Sequence, residues 1–326
     1  MPQTLLPAMT RIDAVITWVD GAEPAHRARR EAWLARAAPA NENGTNPHRW
    51  ACSDELRYCL MSIANNAPWI GRIWIVTDAQ TPDLSGLPGA LRAKIAIVDH
   101  HLLFAGHEAA LPTFNSLAIE SLLWRIPGLA EHFVYFNDDV FLTAALSPGD
   151  VFAGDRPVLR GKWVDHTLLL ADYGARQDPA RLNDITQINA AALLGFGAKR
   201  VFAAAHVVHP MRRSVFAALW AKHRSAFIAN IGHRFRDIGQ FQPQALHNHA
   251  CLLAGACVVT TADDHLHLRT GAVTDYPLAD VRAYLARATQ PGMKFLCVND
   301  LPQVEAAIPE TRQWIEVAIG TLRAAA

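Results

Sequence analysis

Four short apolar runs in the first half of the chain each end at an aspartate. Ile12 to Val19 (IDAVITWV) meets Asp20, Ile73 to Val76 (IWIV) leads to Asp78, Ile95 to Val98 (IAIV) meets Asp99, and FVYF at Phe133 to Phe136 runs into Asn137, Asp138 and Asp139. Runs this rich in β-branched and aromatic residues read as strands buried on both faces. Helix-like stretches separate them: Ala22 to Ala38, Asp54 to Asn66 behind a Ser53 cap, and a stretch capped by Asn115 or Ser116 that reaches Arg125. Alternation of strand and helix predicts an α/β fold with a mainly parallel sheet and helices on both faces. Ligands of such sheets bind at the carboxyl ends of the strands. Asp20, Asp78, Asp99 and the Asp138-Asp139 pair are therefore expected along one edge.

Taken singly, each of these residues is an ordinary turn former or helix N-cap. The pair in FVYFNDDVFL is different in kind. Two adjacent carboxylates flush against a buried strand are costly unless water, a cation or hydrogen-bond donors meet them. Carboxylates at a strand end are also a way to hold a hard divalent cation beside phosphates.

The second half is less regular. Pro157 to Trp163 reads as a strand, and Leu182 to Leu194, Arg213 to His223, Pro243 to Ala256, Leu278 to Ala288 and Glu310 to Ala325 read as helices. Pro39 to His48 is an expected loop. No repeat, low-complexity tract or linker composition divides the chain. Residues 1–326 are therefore read as one catalytic domain: an α/β half over 12–150 and a mostly helical half over 151–326 that supplies histidines and arginines to the site.

With 30 basic and 30 acidic residues among 326, the formal net charge is zero, which disfavours a nucleic-acid binder. The five cysteines, Cys52, Cys59, Cys251, Cys257 and Cys297, show no CxxC spacing. Free thiols in a reducing compartment fit them better than a disulfide frame or a zinc site. The opening MPQTLLPAMTR is no signal peptide, and no apolar run approaches the length of a membrane helix. A soluble cytoplasmic protein is expected, compatible with peripheral attachment at the inner face of the membrane.

Phosphate loops of the GxxxxGK[ST] type, GxGxxG fingerprints and GxSxG elbows are missing from the sequence, so ATPase, dinucleotide and serine-hydrolase readings have no support. Histidine is abundant. Pairs such as His247/His249 and His265/His267 are most simply surface or hydrogen-bonded core residues. His206 and His209 stand out because a proline and two arginines, Arg212 and Arg213, surround them in HVVHPMRR. Arg234 and Arg236 are two apart and would face one side of an extended segment. Carboxylates for a cation, arginine forks for phosphate oxygens and a histidine to move a proton together suit phosphoryl chemistry.

In that arrangement the chain resembles the Stealth proteins. IDAVITWVDG (Ile12–Gly21) is similar to their first block. DELRYCLMSIANNAPWIGRIWIVTDAQ with IVDHHLLF, LPTFNS and FVYFNDDVFL is similar to the second. HVVHPMRRSV with FRD resembles the third, and KFLCVND (Lys294–Asp300) the fourth. The family holds bacterial capsular and exopolysaccharide phosphotransferases and the catalytic part of the animal N-acetylglucosamine-1-phosphotransferase. The resemblance implies a Rossmann-like, nucleotide-sugar transferase-like fold whose 12–150 half binds the nucleotide sugar. It implies transfer of a sugar 1-phosphate from a donor such as a UDP-sugar to a glycan hydroxyl, with Mg²⁺ or Mn²⁺. It also implies docking on a membrane-bound polysaccharide-export assembly. Residue by residue, it places Asp20 and Gly21 at the nucleotide or sugar, Arg57 at the diphosphate, and Asn115 and Ser116 near the donor. Arg234 joins this donor-binding set. Asp138 and Asp139 are placed on the metal. His206 is placed as the base, with His209 able to exchange roles, and Arg236 on phosphate. Asn299 and Asp300 match the last block. Gly239 and Gln240 stand where acids are usual, which puts a contact to the acceptor at issue. The short interval between the second and third blocks implies a minimal catalytic unit.

Two other functions use similar residues. An ordinary metal-dependent glycosyltransferase would transfer the sugar alone, and an inactive homologue would only bind glycan or nucleotide.

Overall fold

The computed structural model of the chain describes residues 10–36, 50–51 and 53–321. Cys52, the loop expected over Pro39 to His48 and the last residues of the expected C-terminal helix lie outside the described residues. The strands, in chain order, are β1 (Ile12–Thr17), β2 (Ile73–Thr77), β3 (Ile95–Asp99), β4 (His132–Asn137), β5 (Val140–Leu142), β6 (Phe152–Ala153), β7 (Arg156–Val164), β8 (Val201–Ala204), β9 (His209–Arg212), β10 (Val258–Thr260), β11 (His265–Leu268) and β12 (Phe295–Val298).

The main sheet has the order β3-β2-β1-β4-β9. Its first four strands are parallel and β9 runs antiparallel to β4. The continuous apolar runs of β1, β2 and β4 follow from burial of both faces, whereas β3, at the sheet edge, is only partly buried. Ile12, Ala14, Ile16, Ile73, Ile75, Val134 and Phe136 point into one core, where the helix Glu55–Asn66 packs with Leu56, Leu60 and Ile63. Val15, Trp74, Val76, Phe133 and Tyr135 point into the other, against the helices Ser116–Glu120, Arg213–Lys222, Arg224–Gly232 and Pro243–Leu253. The period of two along a strand divides each run between the two cores. The α/β reading of the sequence therefore holds.

Ser53 does not cap the Glu55–Asn66 helix through its side chain. Asp54 is the N-cap residue, and the Glu55 carboxylate accepts from the Ser53 N–H at 2.5 Å.

The second half is mostly helical, as the sequence predicts, but β6 to β12 also lie there among its helices. Apart from β7, these strands are two to four residues long and carry histidines and a proline, too short for a periodicity to register. They build two small sheets, β10-β7-β6 with β8 on β7, and β11-β12-β5. The second matters for the site. Asp138 and Asp139 are the two residues between β4 and β5, so one tight turn carries the chain from the main sheet into the small one. No helix among the described residues is long and apolar enough to cross a membrane.

One buried carboxylate fixes the amino ends of the central strands. Asp13, 0% exposed, accepts from the Arg72 N–H at 3.1 Å, Trp74 Nε1 at 3.0 Å and the Ala130 N–H at 3.0 Å, and pairs with Arg11 Nε at 3.0 Å. Asp13→Ala leaves these donors unmatched inside the protein. A loss of about 3–5 kcal/mol is expected, read as a lower urea midpoint. A midpoint equal to the parent's would refute this role.

Candidate active site

The parallel sheet brings the strand-end aspartates to one edge, but local groups already satisfy three of them. Asp20 closes its own turn, accepting from the Ala22 N–H at 2.9 Å, while Gln80 brackets its backbone. Gly21 follows where a Cβ would stand 2.6 Å from the Trp50 carbonyl oxygen. Asp78 is buried against Arg29 at 2.7 Å. Asp99 caps the helix His100–Leu103 and accepts from the Ala79 N–H at 2.6 Å.

The Asp138-Asp139 pair is only partly met, by Asn299 at one Asp139 oxygen and by backbone N–H groups at Asp138. Among the described residues neither carboxylate forms an ion pair with Arg, Lys or His, and Asp139 Oδ1 is buried without a hydrogen-bond partner. Burial raises both carboxyls above the ordinary range. Asp138 is pushed further by Asp139 and Glu55, while Asn299 and His267 hold Asp139 back. Glu55, behind them at the start of its helix, is raised by burial to about 7. Carboxylates that burial keeps from ionising, one of them also repelled by neighbouring acids, fit a divalent cation. Asp138 and the unmatched oxygen of Asp139 are the atoms placed to hold one.

From Asp139 a chain of contacts leads to the histidines. Asn299 Nδ2 donates to Asp139 Oδ2 at 2.7 Å, and Asn299 Oδ1 lies 2.7 Å from His267 Nε2. The amide orientation makes His267 Nε2 the donor, which leaves its Nδ1 lone pair open. The His267 ring stacks on His206 with centroids 4.4 Å apart.

His206 borders a cleft lined by Glu120, Asn137, Thr186, His209, Arg236 and Gln244, among others. Its free volume is about 50 Å³, below the roughly 300 Å³ at which small-molecule pockets begin, so it takes part of a ligand. Arg236 Nη2 donates to Ser116 Oγ at 2.6 Å. Burial raises Glu120 to about 6 against the pull of Arg236. The Tyr135 hydroxyl lies 3.1 Å from Glu120 Oε1, 2.8 Å from Asn137 Oδ1 and 2.9 Å from Thr17 Oγ1. Burial holds His206 and His209 neutral, each at about 3. His267 and Arg236 add to this at His206, and His206 adds to it at His209.

The remaining sequence candidates lie around this cleft. Asn115 caps the Ser116–Glu120 helix with Oδ1 and donates Nδ2 to the His233 and Phe235 carbonyls and to Gln240 Oε1. It thereby fixes the segment that carries Arg236. Gln240 is 1% exposed and also donates to the Asn230 carbonyl at 2.8 Å, a bond a carboxylate could not make. Its departure from the acidic pattern serves packing. Arg234 and Arg236 do not share a side, because residues 233–239 bend instead of extending. Arg234 donates to the Ala109 carbonyl and covers the Trp33 ring at 3.9 Å. Arg57 is exposed near Gly86 and Asp83. His247 and His249 are structural, accepting at Nε2 from the Arg212 and Phe202 N–H groups. The sequence reading missed Glu120, Glu55 and His267. A lone acid in the apolar stretch SLAIESLL was the available signal for Glu120.

Two family models match the chain: conserved region 1 of the Stealth proteins over residues 10–37 and conserved region 2 over residues 49–158. An exopolysaccharide phosphotransferase of Streptomyces coelicolor is 35% identical over 253 residues, 76% of this chain and 41% of that protein. The exopolysaccharide phosphotransferase CpsY of Mycobacterium tuberculosis is 32% identical over 302 residues, 91% of this chain and 54% of that protein. The chain belongs to the Stealth family. It spans about half the length of these curated relatives. Among solved structures, the galactosyltransferase LgtC, crystallised with donor and acceptor sugar analogs, superposes with a TM-score of 0.50 at 15% identity. The match covers 97% of this chain and 98% of that one. That likeness shows the fold, a mixed α/β architecture with a mostly parallel sheet.

In this Stealth chain the acidic pair lies in the second conserved region, and His206, Arg236 and Asn299 lie beyond it. Two measurements follow from the electrostatics. With a divalent cation at 100 times its dissociation constant, unfolding should cost about 2.7 kcal/mol more in the parent and not in Asp139→Asn. An unchanged melting temperature in excess Mg²⁺ and Mn²⁺ would count against the site. The second concerns pH. An unfolded histidine titrates near 6.5 and His206 near 3, so below pH 6.5 the unfolded chain binds the extra proton and stability is lost as pH falls. In chelator, His206→Gln should therefore gain stability over the parent by up to about 1.4 kcal/mol per pH unit between 6.5 and 4. A difference that does not change with pH would contradict a buried neutral imidazole.

Proposed function

We propose that this chain transfers a sugar 1-phosphate from a nucleotide sugar to a hydroxyl of a glycan acceptor in the synthesis of a surface polysaccharide. One observation carries the reading: a neutral histidine and an arginine share a cleft that Asn299 and His267 connect to an acidic pair lacking positive charge. That set serves attack at phosphorus, where charge must be stabilised around phosphate oxygens instead of at the anomeric carbon.

The acceptor oxygen forms a bond to the phosphorus next to the sugar. The bond from that phosphorus to the bridging oxygen breaks, and a nucleoside monophosphate leaves. His206 Nδ1 or Nε2 takes the acceptor proton. His206 is preferred over His209 because it is the more open of the two, whereas His209 is 9% exposed and stacks on Tyr135. Arg236, held by Ser116, meets the transferred phosphate. Asp138 and Asp139 would hold Mg²⁺ or Mn²⁺, which supplies positive charge to the diphosphate when bound.

The likeness to a galactosyltransferase fold favours a second reading, transfer of the sugar alone. A nucleotide sugar labelled at its β-phosphorus separates the two. Label appearing in the glycan is expected, with turnover reduced about 10²- to 10³-fold in Asp139→Asn and in His206→Gln. Label leaving with the nucleotide as a diphosphate would establish the second reading and overturn the first.

A further inference from the structure

Cys297 lies on β12 directly opposite His267 on β11, and the phosphotransfer chemistry gives it no part. The nitrogen and sulfur ligand atoms of His206, His267 and Cys297 all lie within 4.8 Å of one another. They come from three different segments: the loop between β8 and β9, β11, and β12. We propose that these three residues form a second metal site, selective for a soft divalent cation such as Zn²⁺, and that its occupancy stops turnover by capturing His206. The inhibitory half of this proposal rests on the reading of His206 as the proton acceptor. The binding half does not.

The site adjoins the acidic pair, with the Cys297 thiol hydrogen-bonded to Asp139, and donor chemistry distinguishes the two. Oxygen ligands suit Mg²⁺ and Mn²⁺, while imidazole and thiolate suit zinc. Two imidazoles and a thiolate are a known zinc ligand set that leaves a fourth position for water. The His267 tautomer is already set for it, because Nε2–H is spent on Asn299 Oδ1 and the open lone pair is on Nδ1. An outer partner of this kind is what zinc-bound histidines ordinarily have. Tetrahedral bonds of about 2.0–2.3 Å hold ligand atoms roughly 3.5 Å apart, so the cluster must contract by about 1 Å. The rings now stack at 10°, with lone pairs that do not converge. His206, partly exposed and outside any strand or helix, is the residue able to turn. Binding is balanced by loss of the Cys297 S–H proton to solvent as the metal–sulfur bond forms.

Cobalt(II) tests the site directly. It is titrated into the full chain in excess Mg²⁺, which keeps the carboxylate pair filled. One equivalent should produce a near-ultraviolet thiolate-to-cobalt charge-transfer band that Zn²⁺ then displaces. The band should be absent in Cys297→Ser, and His267→Gln should weaken cobalt binding about 10- to 100-fold. In the phosphate-transfer assay, Zn²⁺ at ten times its dissociation constant should lower parent turnover about 10-fold by mass action and leave Cys297→Ser nearly unaffected. Absence of the band in folded parent, or a band that survives Cys297→Ser, overturns the site. A band with full turnover in zinc keeps the site and overturns both the inhibition and the role given to His206.

Discussion

The turn at Asp138 and Asp139 is pinned from both sides, and the site is arranged around that constraint. Asn137 pairs with Thr17 in the main sheet, and Val140 pairs with Cys297 in the small one. The Val298 N–H closes onto the Asp139 carbonyl at 3.1 Å. With strands fixed on either side, two backbone positions are left, which hold two half-buried carboxylates next to each other. Their repulsion is built into the fold, and what relieves it must come to them. Asn299 meets one oxygen of Asp139. A cation is the natural answer for the rest.

The surroundings divide the labour between holding and reacting. The holding is done by groups whose bonding capacity is spent on the protein itself. Asn115 and Gln240 tie the loop of Arg236 to the helix that carries Glu120, and His247 and His249 fasten the helix Pro243–Leu253 to the strands that flank His206. The groups left with capacity include Asp139 Oδ1, Glu120 Oε2, Gln244 Oε1 and the two neutral imidazoles of the cleft. Glu120 is an intermediate case. It shares the single Tyr135 hydroxyl proton with Asn137, so a carboxyl that keeps its own proton near pH 6 eases the crowding of acceptors.

Much of the fold could be read from the sequence because burial on both faces leaves an unmistakable apolar run in β1, β2 and β4, and the edge strand β3 keeps a similar run though half exposed. The small strands after residue 150 could not, since two to four residues do not make a period. Within the site, residue type was a poor guide to availability. Asp20, Asp78 and Asp99 look like Asp138 in the sequence, yet a backbone N–H or an arginine from elsewhere meets each of them. Whether such a donor arrives is a tertiary fact. His206 and His209 were legible through the proline and arginines beside them, although those arginines turn away, Arg212 to Glu131 and Arg213 to the Trp124 carbonyl. Glu120 was hidden because a helix of five residues with apolar neighbours reads as core.

The pairing of β5 with β12 also has a bearing on how the protein is made. Among the described residues β5 finds its strand partner only in Phe295–Val298, more than 150 residues later in the chain. A nascent chain can assemble the parallel strands β1 to β4 early, but the second wall of the site follows only after more than 150 further residues. Until it arrives, the acidic pair stands at an open edge without Asn299 and His267. Chemical competence thus waits for β12, so a growing chain holds a nearly finished sheet well before it holds a working centre.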